Sequence, residues 1–81
     1  MTQVYVVEIK KTQSGEFEHN VFWLYDEEPS KARFKGESKY HSILSEAAVS
    51  EMEEHAAILF SSDGTPIMHQ CYRHEKPIDE S

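Results

Sequence analysis

Cysteine is nearly missing from this chain. Cys71 is the single one in 81 residues. One thiol cannot close an intramolecular bridge, so a disulfide-stapled secreted scaffold is excluded and packing alone must hold the core. Glycine is scarce as well. Gly15, Gly36 and Gly64 stand far apart, each explicable by a turn or bulge, and form no phosphate-cradling fingerprint. Long apolar runs are absent. The longest, residues 21–25 and 56–60, fall well short of the ~20 residues that a membrane span needs. No basic stretch followed by an apolar segment opens the chain, so no signal peptide is expected and a cytoplasmic protein is the expectation. Bases are outnumbered: eight Lys and Arg stand against fifteen Asp and Glu, a formal net charge of -7. An open duplex-DNA or anionic-membrane binder would need a basic face, so neither partner is expected.

What is present is enough for one small domain. Nine aromatic residues, four Phe, four Tyr and one Trp, argue against global disorder. The length leaves no room for a two-domain enzyme with a cleft, a dinucleotide-binding fold or a barrel. A single α+β domain over residues 1–75 is expected, with a polar tail at 76–81 that frays.

The patterning places the elements. The run Val4-Tyr5-Val6-Val7-Glu8-Ile9 is β-branched and aromatic and reads as a strand. After a turn signal at Gln13-Ser14-Gly15, Phe17, His19, Val21, Trp23 and Tyr25 recur with a period of two. A second strand follows, paired with the first as a hairpin. Pro29 ends that run. Residues 31–41 are ambiguous between helix and strand. Ala32, Phe34, Gly36, Ser38 and Tyr40 alternate with Lys31, Arg33, Lys35, Glu37 and Lys39, and this favours a third, edge-like strand with a cationic face. Leu44, Ala48, Met52 and Ala56 recur at helical spacing and predict an amphipathic helix over about 42–55. Residues 57–60 then read as a buried strand. An Asp-Gly turn at Ser62-Asp63-Gly64-Thr65 leads into a returning strand over 67–73. The expected order is β-β-(β)-α-β-β: an antiparallel sheet of four or five strands with one helix packed on one face.

That architecture has a consequence for function. The second strand is apolar on both faces near its end, with Val21, Trp23 and Tyr25 on one and Phe22 and Leu24 on the other. The first strand repeats this, with Tyr5, Val7 and Ile9 against Val4 and Val6. Two-faced strands need two covers, and the chain supplies one. The second cover is expected to be a partner, either another copy or a different protein. Phe22, Trp23 and Tyr25 are the candidate contact residues, since aromatic anchors dominate interfaces. For Trp23 the plainer alternative is a core residue beneath the helix.

Chemistry-bearing constellations are few. His69-x-Cys71-x-x-His74 offers imidazole and thiolate, which suit zinc, and positions 69 and 71 share a strand face. A closed site needs four ligands, so His19, His41 or His55 would have to join. Without them the pair reads as a surface histidine and a small, partly buried cysteine, and no cofactor is expected. Cys71 as a nucleophile would need a base beside it, with His69 as the candidate. Five histidines are enough for a pH sensor, but their spacing shows no cluster. Glu46, Glu51, Glu53 and Glu54 fall on the polar side of the expected helix, where solvation accounts for them. Glu51, Glu53 and Glu54 would also suit an acidic mimic of nucleic-acid phosphates that blocks a nucleic-acid-binding protein. The expected function is therefore a small acidic, non-enzymatic protein-binding module of adaptor or inhibitor type. It self-associates through an uncovered sheet face, with the mimic and a zinc- or thiol-dependent protein using His69 and Cys71 as the alternatives.

Overall fold

A computed structural model describes residues 2–74. The expected tail at 76–81 lies outside them. The elements are β1 (Thr2–Lys11), β2 (Phe17–Asp26), α1 (Pro29–Ala47), β3 (Glu54–Phe60) and β4 (Pro66–Arg73). The strands form one antiparallel sheet in the order β2-β1-β3-β4, and α1 packs on one of its faces, chiefly over β1 and β3. The α+β reading and the single helix are thus as the patterning predicts.

Both hairpins turn in the same way. In the first, the Gly15 N–H donates to the Thr12 carbonyl and the Thr12 N–H to the Glu16 carbonyl. In the second, Gly64, Ser61 and Thr65 repeat that frame. Gly15 and Gly64 have φ of 91° and 88°, the left-handed conformation that closes such a loop and that side chains resist.

Residues 31–41 are helix, not a third strand, and the helix ends near where it was expected to begin. The side chains that α1 buries are Ala32, Gly36, Tyr40, Ile43, Leu44 and Ala47, a spacing of four, four, three, one and three that keeps one face on the sheet. Two of the first three are the smallest residues available, so the buried stripe carries little hydrophobicity. The period-two pattern in the same stretch arises because Phe34, which looks like a core residue, stands in solvent. β2 ends at Asp26, and Pro29 three residues later sits in the first turn of α1, where its missing N–H costs nothing. Lys31 and Lys35 protect no sheet edge. They reach back to the β2–α1 junction, Lys31 to Glu28 at 3.7 Å and Lys35 to Asp26 at 3.0 Å.

At the other end α1 stops at Ala47, and the expected continuation to residue 55 does not occur. Val49 and Ser50 turn back onto the carbonyls of Glu46 and Ala47, and the His74 ring meets the Ala47 carbonyl at 2.7 Å. The segment after the helix is tied to the sheet: the Glu53 N–H donates to the Lys11 carbonyl and the His74 N–H to the Glu53 carbonyl. The next strand therefore begins at Glu54, three residues before the expected start at Ala57, and takes in His55.

The core lies between α1 and the sheet. Val4, Val6, Ala57 and Leu59 from the two central strands meet Tyr40, Ile43 and Leu44. Phe22, Leu24, Ile67, Met68 and Tyr72 close its sides. At Gly36 the helix lies close on the sheet: a Cβ there would stand 2.7 Å from Leu59 and 2.8 Å from Val4.

Candidate functional site

Strand alternation sends every second side chain to the face opposite α1, and the pairing aligns these side chains in rows. The first row runs Trp23, Tyr5, Phe60 and Pro66. The second is Val21, Val7, Ile58 and His69, and the third is His19, Ile9, Ala56 and Cys71. A fourth row at one end is charged: Phe17, Lys11, Glu54 and Arg73. Among the described residues no element packs on this face.

Its aromatic row is continuous. The rings of Tyr5 and Trp23 lie 4.7 Å apart and tilted, and those of Tyr5 and Phe60 lie 4.8 Å apart and stacked. Such pairs are favourable beyond the area that they bury. Yet Trp23 is 48% exposed, and Val21 and Tyr25 beside it along β2 are each 46% exposed. They form a ridge on one side of the face. On the other side lies a hollow of about 290 Å³ lined by Ala56, Ile58, Phe60, Pro66, His69 and Cys71. It exists because the small Ala56 stands between larger neighbours on a central strand.

The structure separates the expected contact residues. Trp23 and Tyr25 stand together on the open face, so Trp23 is no core residue beneath the helix. Phe22 points to the helix side, where the Lys39 ammonium lies 4.1 Å above its ring. Its neighbours in sequence are its opposites in space because a strand alternates.

Glu51, Glu53 and Glu54 do not share a helix face. Glu51 is in the loop after α1, Glu53 reaches Lys11 at 3.6 Å, and Glu54 opens β3 with Arg73 at 3.5 Å. Only Glu46 of the acidic set belongs to α1.

His69 and Cys71 are on one face, as a strand requires, and both are exposed, so the cysteine is not the partly buried one expected. His74 turns away from them, to the helix end. Among the described residues no group of three or more His, Cys, Asp or Glu side chains is placed to hold a metal.

One polar cluster was not foreseen from the sequence. Glu8 and His55 are buried beneath the helix-side loop, with His55 3% exposed. The His55 Nε2–H donates to the Glu8 carboxylate at 2.7 Å, and its Nδ1 pairs with the Ser50 hydroxyl at 3.2 Å. Asn20 donates to the other Glu8 oxygen at 3.2 Å, and Lys10 lies 3.9 Å away. Burial alone would raise the Glu8 pKa, but the hydrogen bonds from His55 and Asn20 and the nearby Lys10 outweigh it, and the pKa is lowered. The set resembles a hydroxyl–imidazole–carboxylate relay in composition. A reacting group must reach its imidazole, however, and this one is sealed. Among the described residues every buried side-chain nitrogen and oxygen is hydrogen-bonded, so the cluster is a satisfied structural network. The signal for it in the sequence was Glu8 interrupting an apolar strand, a charge that needs a partner once the strand is central.

Compared with family models, with curated proteins and with solved structures, the chain matches none. No helix of the described residues is long and apolar enough to cross a membrane.

Proposed function

We propose that this protein is a non-enzymatic protein-binding module that binds through its open sheet face and associates with a second copy of itself. The observation that carries the reading is the ridge of Val21, Trp23 and Tyr25, nearly half exposed, beside an aromatic row that spans three strands. Large apolar side chains gathered on one face mark an interaction surface, whereas scattered ones need no explanation. Size supports the reading. Four strands at a spacing of about 4.8 Å, over about eight residues of about 3.4 Å rise, give a face on the order of 500 Å². Two such faces bury about 1,000 Å² together, at the threshold of a specific interface.

Trp23 is the only tryptophan, so it reports its own environment. Sedimentation equilibrium and intrinsic fluorescence, followed together from low to high micromolar protein, should show a dimer forming as the emission shifts to the blue. Trp23→Ala should raise the dissociation constant at least about thirtyfold, as for an aromatic anchor. A strict monomer throughout that range sinks the reading.

A further inference from the structure

The open face is complementary to itself in one orientation, and this fixes how two copies pair. A face-to-face pair has its two-fold axis in the plane between the sheets. If the axis runs across the strands, β2 lies over β2 and each charged row meets the opposite end of its mate. If it runs along the strands, the lateral order reverses: β2 of one copy lies over β4 of the other, β1 lies over β3, and each row faces the same row. We infer that the protein dimerises about a two-fold axis parallel to its strands, with Trp23 and Val21 of each copy lying over Pro66 and His69 on the rim of the other copy's hollow. This rests on the self-association proposed above.

Two independent features select this arrangement. The ridge and the hollow occupy opposite sides of one face. Only the axis along the strands brings them together, and it does so twice, as a closed isologous interface requires. Charge makes the same choice. In the fourth row Lys11 of β1 lies over Glu54 of β3 in the other copy, a lysine against a glutamate twice about the axis in the middle of the row, beside the ion pairs that each makes within its own chain. The axis across the strands sets Lys11 against the opposite end of β1, where no acid stands on the open face. The two sheets would pack about 10 Å apart at about −30°, each with its helix outward.

The third row supplies the test. His19 and Cys71 lie in it on opposite edge strands, three strand spacings or about 14 Å apart within one chain. A short bis-maleimide cannot bridge His19→Cys to Cys71 in the same chain, but it can join them between copies. The His19→Cys variant should give a covalent dimer in high yield. Wild type, with Cys71 alone, and the double variant His19→Cys/Cys71→Ser should stay uncoupled, because β4 is far from β4 and β2 from β2. Coupling of wild type, coupling of the double variant, or a solution dimer in which none of the three couples overturns the pairing while leaving the self-association reading intact. A solution monomer removes both.

Ala56→Trp is the second measurement. It fills the hollow on the face away from the core, so circular dichroism and the melting temperature should hold at the dilution where wild type is monomeric. Its dimer dissociation constant should rise at least about thirtyfold, because the added indole stands where Ile9 of the partner subunit packs and holds the two faces apart. A folded Ala56→Trp protein that dimerises as wild type does also overturns the pairing.

Discussion

Glu8 is where a single residue carries the most consequence. It interrupts β1 on the helix side, and a buried carboxylate there is stable only with partners. His55, Asn20 and Lys10 supply them. Glu8→Ala leaves the buried His55 Nε2–H unpaired, and this should cost about 1–3 kcal/mol in chemical denaturation at neutral pH. Glu8→Gln keeps acceptors in place and should cost less. The pH dependence follows from the direction of the shift. Because the Glu8 pKa is lowered from 4.5 in the folded state, its contribution is fully present above 4.5. It is lost as pH falls from there through the lower folded value. The stability gap between wild type and Glu8→Gln should therefore be constant above that pH and narrow below it. A gap that widens in acid would mean the carboxylate is disfavoured by its site.

At the scale of elements, the strands were legible and the helix was misplaced. A β-branched and aromatic run marked β1, alternation marked β2, and the turn glycines marked both hairpins and with them β4. The helix was hidden because its buried stripe includes Ala32 and Gly36, chosen for thinness rather than hydrophobicity, while Phe34 points outward. Helical spacing beyond residue 47 came from Ala48, Met52 and Ala56, which belong to a loop and a strand. No local rule reveals this, since the turn after Ala47 depends on contacts with Lys11 of β1 and with His74, just after β4. Gly36 makes the point testable. Alanine favours an exposed helix interior over glycine by up to about 1 kcal/mol. Here the added methyl would press on Val4, whose branched side chain is held in a central strand, and on Leu59. Overpacking of this kind costs about 1–3 kcal/mol, so Gly36→Ala should lower the melting temperature despite the better helix former. A rise would show that α1 can lift away from the sheet at little cost.

The molecule as a whole has more sheet than helix to cover it, and that imbalance was readable before any geometry. Two-faced apolarity in β1 and β2 implied a missing cover. The sequence could not reveal which aromatics would stand there, because Phe22 and Trp23 differ by one step of an alternation whose phase is set by the core. Nor could it show the hollow, which depends on Ala56, Phe60, Pro66 and Cys71 coming together across two strands. If the second cover is a copy of the chain, stability and association are one equilibrium. Anything that binds the folded state alone raises the unfolding temperature by mass action, to an extent set by concentration over the dissociation constant. The wild-type melting temperature should therefore climb as protein concentration rises through the dissociation constant. Each tenfold increase above it should add a nearly constant increment. Trp23→Ala should begin to climb only at a protein concentration at least about thirtyfold higher. At high dilution the difference between the two proteins should shrink to a small, concentration-independent one, the loss of the Tyr5–Trp23 contact inside one chain, because Trp23 is half in solvent and its removal opens no cavity in the core between α1 and the sheet. A wild-type melting temperature independent of concentration would mean that the open face stays uncovered by its own kind. The aromatic row would then stabilise the sheet only through the contacts that Tyr5 makes with Trp23 and Phe60 inside one chain.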